Sequence, residues 1–235
     1  RAVDAIHKAA ARLAQATPRE RAYVEALAVR YSVKKSAARK AKDDAYANAM
    51  RRLAREYPED VDAATLSAEA MMLLRPWDYW RADGRSQPGT DEIVATLEGA
   101  LQRDPNHPGA CHYYIHAVEA SPDPQRGLPC AKRLPSLMPG AGHLVHMPAH
   151  IYMRLGLYRE ASERNATAAT VDHEYLLRRP LEGNYASGYY AHNLHFLNAS
   201  LVMEGRSAEA LQVARDLLGK ISVVEMAKEP SLEWY

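Results

Sequence analysis

Apolar residues recur at intervals of three and four along almost the whole chain, as in Ala47, Met50, Leu53, Ala54 and Tyr57, and β-branched alternation is absent. A helix gathers residues three and four apart onto one face, whereas a strand gathers residues two apart, so this spacing predicts an all-α fold. The 14 prolines and 12 glycines then divide the pattern into helical segments. The expected helices cover 2–16, 19–31, 36–57, 60–74, 90–103, 108–120, 124–136, 142–155, 158–175, 185–204 and 207–219, with another beginning in 222–235. The one long break, 75–90, reads RPWDYWRADGRSQPGT. Its length marks it as functional or disordered, and its two tryptophans argue for a packed loop over a groove, with Trp77 and Trp80 serving as packing.

At 47% hydrophobic content, 235 residues can bury a substantial core, so the whole of 1–235 is expected to form one helical domain. With 30 basic and 29 acidic residues the formal charge is +1, which removes the electrostatic basis for a nucleic-acid partner. The basic run 33–42, VKKSAARKAK, is followed at once by Asp43 and Asp44 and reads as a solvated helix face. No stretch approaches the roughly 20 consecutive apolar residues of a membrane-spanning helix, so no membrane insertion is expected. Cys111 and Cys130 lack the spacing of a zinc or redox motif. A single bridge and two buried thiols are the alternatives, and buried thiols are the simpler one.

Seven of the ten histidines fall in three clusters: His112 and His116 in CHYYIHAVE, His143, His146 and His150 in GHLVHMPAHIY, and His192 and His195 in YYAHNLHFL. On a helix, positions four apart lie about 40° from one another and positions three apart about 60°, so each cluster presents its rings in one direction. His112 with His116, and His146 with His150, are one turn apart and suited to chelating one ion each. His143 and His150 are separated by about 10 Å of helical rise, too far to share an ion, so two or more metals are expected. Glu119 lies on the face of His112 and His116 and is the first carboxylate to test as a catalytic group. Tyr152, beside the histidines of the second cluster, is a candidate redox or ligand tyrosine. Asp172 and His173 are candidates for supporting or ligating roles. The HExxH and paired ExxH signatures are absent, and imidazole-rich ligation favours transition-metal ions, copper first with zinc or iron as alternatives, over magnesium, calcium or manganese.

The segment Leu155-Gly156-Leu157-Tyr158-Arg159-Glu160-Ala161 is echoed by Met203-Glu204-Gly205-Arg206-Ser207-Ala208-Glu209-Ala210, with glycine five residues ahead of alanine in both. These residues resemble the tetratricopeptide repeat (TPR), although Gly156 and Gly205 are 49 positions apart rather than the usual 34, so irregular TPR-like hairpins fit better than a regular array. From about Tyr46 to Gly205 the phrases PWDYW, HPG, HYYIHA and GHLVHMPAHIY also resemble a family of bacterial TPR-like proteins. The resemblance implies an α-solenoid with a further helical segment upstream and an exported or periplasmic location. In TPR-type stacks alternate helices line a concave surface, so helices 108–120, 142–155 and 185–204 are expected to share one histidine-lined groove.

Two functional expectations follow. One is a metal-dependent enzyme acting on a small-molecule or peptide substrate in that groove, an oxygen-activating oxidoreductase with copper or a hydrolase with zinc. The other is a non-catalytic TPR-like scaffold that binds a peptide or protein partner.

Overall fold

The computed structural model describes residues 2–31, 39–178 and 185–219. The part of the basic run at 33–38 and the helix expected in 222–235 lie outside the described residues. Two compact units emerge, Arg1–Ser121 and Pro122–Tyr235. Among the described residues there is no strand, only an isolated antiparallel bridge between Trp80 and Ser86. No described helix is long and apolar enough to cross a membrane.

The first unit contains α1 (Ala2–Ala10), α2 (Pro18–Arg30), α3 (Arg39–Glu56), α4 (Val61–Met72), α5 (Thr90–Arg103) and α6 (Pro108–Val118). Each of these packs on its neighbour in sequence, the pattern of a chain of antiparallel hairpins. Helix starts are specified locally. Thr17 and Glu20 form a capping box on α2, with Pro18 at the first helical position, and the Asp60 carboxylate accepts from the Ala63 amide at the start of α4. Ala47, Met50 and Leu53, three of the residues whose spacing predicted α3, are buried with Tyr46 against Ala26 of α2 and Ala63 and Ala70 of α4.

His107 begins α6 in the same way. Its Nδ1 accepts from the Ala110 amide at 3.0 Å, so the ring proton sits on Nε2 and is donated to Asp62 at 3.0 Å. His107 is therefore the helix cap of α6. His107→Ala is expected to cost about 1 kcal/mol in chemical denaturation, and His107→Asn to recover most of it.

The second unit contains α7 (Leu128–Leu137), α8 (Gly142–His146), α9 (Pro148–Arg154), α10 (Tyr158–Arg178), α11 (Ala191–Met203) and α12 (Ser207–Leu218), with a π-helical turn at Tyr185–Tyr190 leading into α11. Helix α10 is the centre of this unit, packed on α8, α9 and α11. Its buried stripe is Ala161, Asn165, Ala168 and Asp172, spaced by four, three and four. The alanines let the flanking helices approach closely, while the two polar residues bring hydrogen-bonding groups into that contact.

The repeated glycine has a shared physical cause. Gly156 and Gly205 have φ of 74° and 76°, left-handed values that a Cβ disfavours. Each closes a Schellman cap: the Leu157 amide donates to the Tyr152 carbonyl at 2.9 Å, and the Arg206 amide to the Leu201 carbonyl at 3.0 Å. Ala161 and Ala210, five residues on, are buried in α10 and α12. The echo thus encodes the same helix–turn–helix corner twice.

Three expectations need correction. The helix expected over 142–155 is two helices, because Pro148 has no amide hydrogen to continue the ladder through Met147. Helix α10 runs to Arg178, beyond the end expected at 175. Trp80 packs, donating its indole N–H to the Ala117 carbonyl at 2.7 Å, but Trp77 is 72% exposed.

Candidate functional site

In the second unit, α8, α9 and α11 converge on three imidazoles. His146 is fully buried, His150 is 7% exposed and His192 is partly buried. The Nε2 atoms of His146 and His150 are 2.9 Å apart. One ring nitrogen from each of the three histidines lies within 4.8 Å of the others. The planes of His146 and His150 cross at 79° and those of His146 and His192 at 76°, while His150 and His192 are stacked at 27° with centroids 5.7 Å apart. The Pro148 break does not separate the pair at 146 and 150, since Met147 keeps right-handed helical angles.

Asn165 of α10 determines the protonation of His146. Its Nδ2 donates to the Ala161 carbonyl at 2.9 Å, a group that can only accept, so Oδ1 faces the ring. That oxygen is 2.6 Å from His146 Nδ1, which must therefore carry the hydrogen. The lone pair of His146 is on Nε2, and the His150 Nε2–H donates to it.

Phe196, the single phenylalanine of the chain, closes the cluster. Its ring centroid lies 4.9, 4.6 and 5.1 Å from those of His146, His150 and His192. Four residues after His192, it shares that residue's helical face. His195 is half-buried outside the three-imidazole group, and burial lowers its pKa. His143 stacks on His146 with centroids 5.8 Å apart and also meets Tyr189. Tyr152 is two residues, about 200° of helix, from His150. Its hydroxyl pKa is raised by burial and responds to Arg164 and Glu160.

Burial holds the His146 pKa well below the usual imidazole range, reinforced by His150 and His192 and opposed by the Asn165 hydrogen bond. The unfolded ring gains a proton below about pH 6.5 while the folded ring does not, so this contribution to stability is full above that pH and lost as pH falls. In chelator-treated protein the free energy of unfolding is expected to fall between pH 7 and pH 5, and His146→Gln to flatten that slope. Denaturant titrations across this range check both.

Beside the cluster, Asp172 is completely buried. Tyr185 donates to one carboxylate oxygen at 2.7 Å and Asn193 to the other at 2.6 Å, yet burial dominates and raises the pKa. Its neighbour His173 is exposed.

In the first unit, His112 and His116 of α6 have ring centroids 5.1 Å apart, and Glu119 lies 2.9 Å from His116 Nδ1. The edge of Trp77 meets His116 at a centroid distance of 4.9 Å. Trp77 has φ of 62°, the one non-glycine residue in the left-handed region among those described. Its loop is rigidly held: Asp78 takes Arg75 at 2.9 Å and Gln87 at 3.0 Å, and the Tyr79 carbonyl accepts from the Gln87 amide and the Thr90 hydroxyl.

Asn165 and Phe196 were missed in the sequence reading. The first breaks an alanine-rich stripe with a polar residue and the second extends the face of His192, but neither becomes informative until α8, α9 and α11 are brought together.

No protein-family model matches the chain, and no curated protein does. Its fold is similar to the crystal structure of MamA protein, at 13% identity over 81% of this chain and 87% of that one, with a TM-score of 0.57. It is also similar to MamA from residue 41 to its end from Desulfovibrio magneticus RS-1, at 13% identity over 77% and 86% of the two chains, again at 0.57. MamA is a TPR-like helical-repeat protein, and the all-α, TPR-like helical-hairpin fold is common to both.

Proposed function

We propose that this chain is a TPR-like scaffold that binds a peptide or protein segment, with Trp77 as an anchor. Helical-hairpin repeats of this class use exposed helix and loop surfaces for such partners. The observation that carries the reading is the placement of Trp77. A left-handed backbone costs a residue with a side chain about 1–2 kcal/mol, and here the cost is incurred to leave an indole 72% exposed. The ring edge rests on His116, and most of the indole remains in solvent. A rigid, pre-positioned aromatic side chain is what a binding hot spot requires.

The test is selection from a random peptide display library, followed by anisotropy titration of the selected peptides. Trp77→Ala is expected to weaken them by about 10-fold or more. Trp77→Gly is expected to do the same while raising the melting temperature, because glycine relieves the backbone cost. Absence of selected peptides, or equal binding by Trp77→Ala, would overturn the reading.

A further inference from the structure

The peptide-binding reading leaves the three imidazoles of the second unit without a role. We propose that His146, His150 and His192 bind one divalent transition-metal ion through ring nitrogens, and that Asn165 holds His146 in the ligating tautomer. This goes beyond the scaffold function and is independent of it, since Trp77 belongs to the other unit.

The chemistry of the donors comes first. Three neutral imidazoles with no carboxylate in the group suit zinc, copper, nickel or cobalt and not the hard, oxygen-seeking ions. Copper(II) and zinc(II) are favoured by the general order of affinities and by the imidazole preference of both.

The geometry is close to what one ion needs. Metal–nitrogen bonds of about 2.0–2.1 Å at tetrahedral angles put ligand nitrogens about 3.3 Å apart. The His146–His150 separation is 2.9 Å, and all three nitrogens lie within 4.8 Å. Reaching the bonded spacing asks each nitrogen to move by less than about 1 Å.

Tautomers are also prepared. With Nδ1–H committed to Asn165, His146 already presents its Nε2 lone pair to the centre of the group. This is the arrangement by which a hydrogen-bond acceptor behind a ligating histidine orients the ring and raises its basicity. The proton on His150 Nε2 stands in the way. On binding it moves through solvent to His150 Nδ1, so the ring stays neutral and no net proton is released. The ion takes the place of that one hydrogen. Phe196 walls one side, and His192 is the one ring of the three that is only partly buried.

The first experiment is calorimetric titration of the chelator-treated full chain with zinc(II) alone, repeated with cobalt(II) to read the visible spectrum of a tetrahedral site. One tight equivalent is expected, weakened about 100-fold in His150→Ala and in His192→Gln, with a zinc-dependent rise in melting temperature lost in both. Asn165→Ala is expected to weaken binding 10- to 100-fold while keeping the stoichiometry. Two-bond proton–nitrogen spectra of the wild-type histidines provide a test that needs no variant. The first equivalent of zinc is expected to shift the ring nitrogens of His146, His150 and His192. Undiminished binding by His192→Gln, a first equivalent that shifts only other histidines, or no zinc binding would each overturn the proposal.

Discussion

Gly142→Ala is expected to lower the free energy of unfolding by about 3 kcal/mol, through a clash with a side chain 30 residues further along the chain. A Cβ at position 142 would fall on the carboxylate of Asp172, nearer to both oxygens than real Cβ atoms come. The carboxylate has no free direction in which to yield, because Tyr185 and Asn193 hold its two oxygens and the residue is completely buried. Moving it means breaking hydrogen bonds to a group that burial has already deprived of water. The check is a double-mutant cycle. Asp172→Ala alone is expected to be destabilising, since it leaves the Tyr185 and Asn193 donors without their acceptor. Together with Gly142→Ala it is expected to cost no more than it does alone, because the new methyl occupies the vacated space. Strictly additive losses would show that the contact is not the cause.

Asn165→Leu is expected to cost about 2 kcal/mol. The two side chains are close in size, so the loss is chiefly polar: the His146 Nδ1–H is left in a completely buried position without its acceptor. Asn165 also donates to the Ala161 carbonyl, so the substitution removes bonds on both sides of the amide. Asn165→Asp distinguishes the two. An aspartate accepts from Nδ1–H but cannot donate to Ala161, and its charge favours a protonated imidazole. It is expected to raise the His146 pKa and reduce the loss of stability between pH 7 and pH 5. Histidine nitrogen spectra of each variant would read the tautomer directly. A His146 that keeps its Nδ1 proton unchanged in Asn165→Leu would contradict the assignment.

The helical architecture was legible because it rests on local rules. Period-three-and-four spacing, proline and glycine punctuation and the Gly-to-Ala echo act within a turn or two of chain. The described helices follow the expected segments, and Gly156 and Gly205 perform the same Schellman cap. The departures are local too: Pro148 splits one expected helix, and α10 continues past 175 to Arg178.

What the amino-acid sequence determined by itself was the all-α hairpin fold and the placing of histidines on single helix faces, since both follow from angles fixed by backbone geometry. Which faces meet was decided only by the tertiary structure. His192 joins His146 and His150 while His195 does not, because α11 turns His192 and Phe196 inward against α8 and α9. Asn165 and Asp172 acquired their partners by the same route, as polar residues in the stripe on which those helices pack. The exposed Trp77 belongs to that second category: a tryptophan's hydrophobicity predicts burial, and only the fixed loop around it overrides that preference.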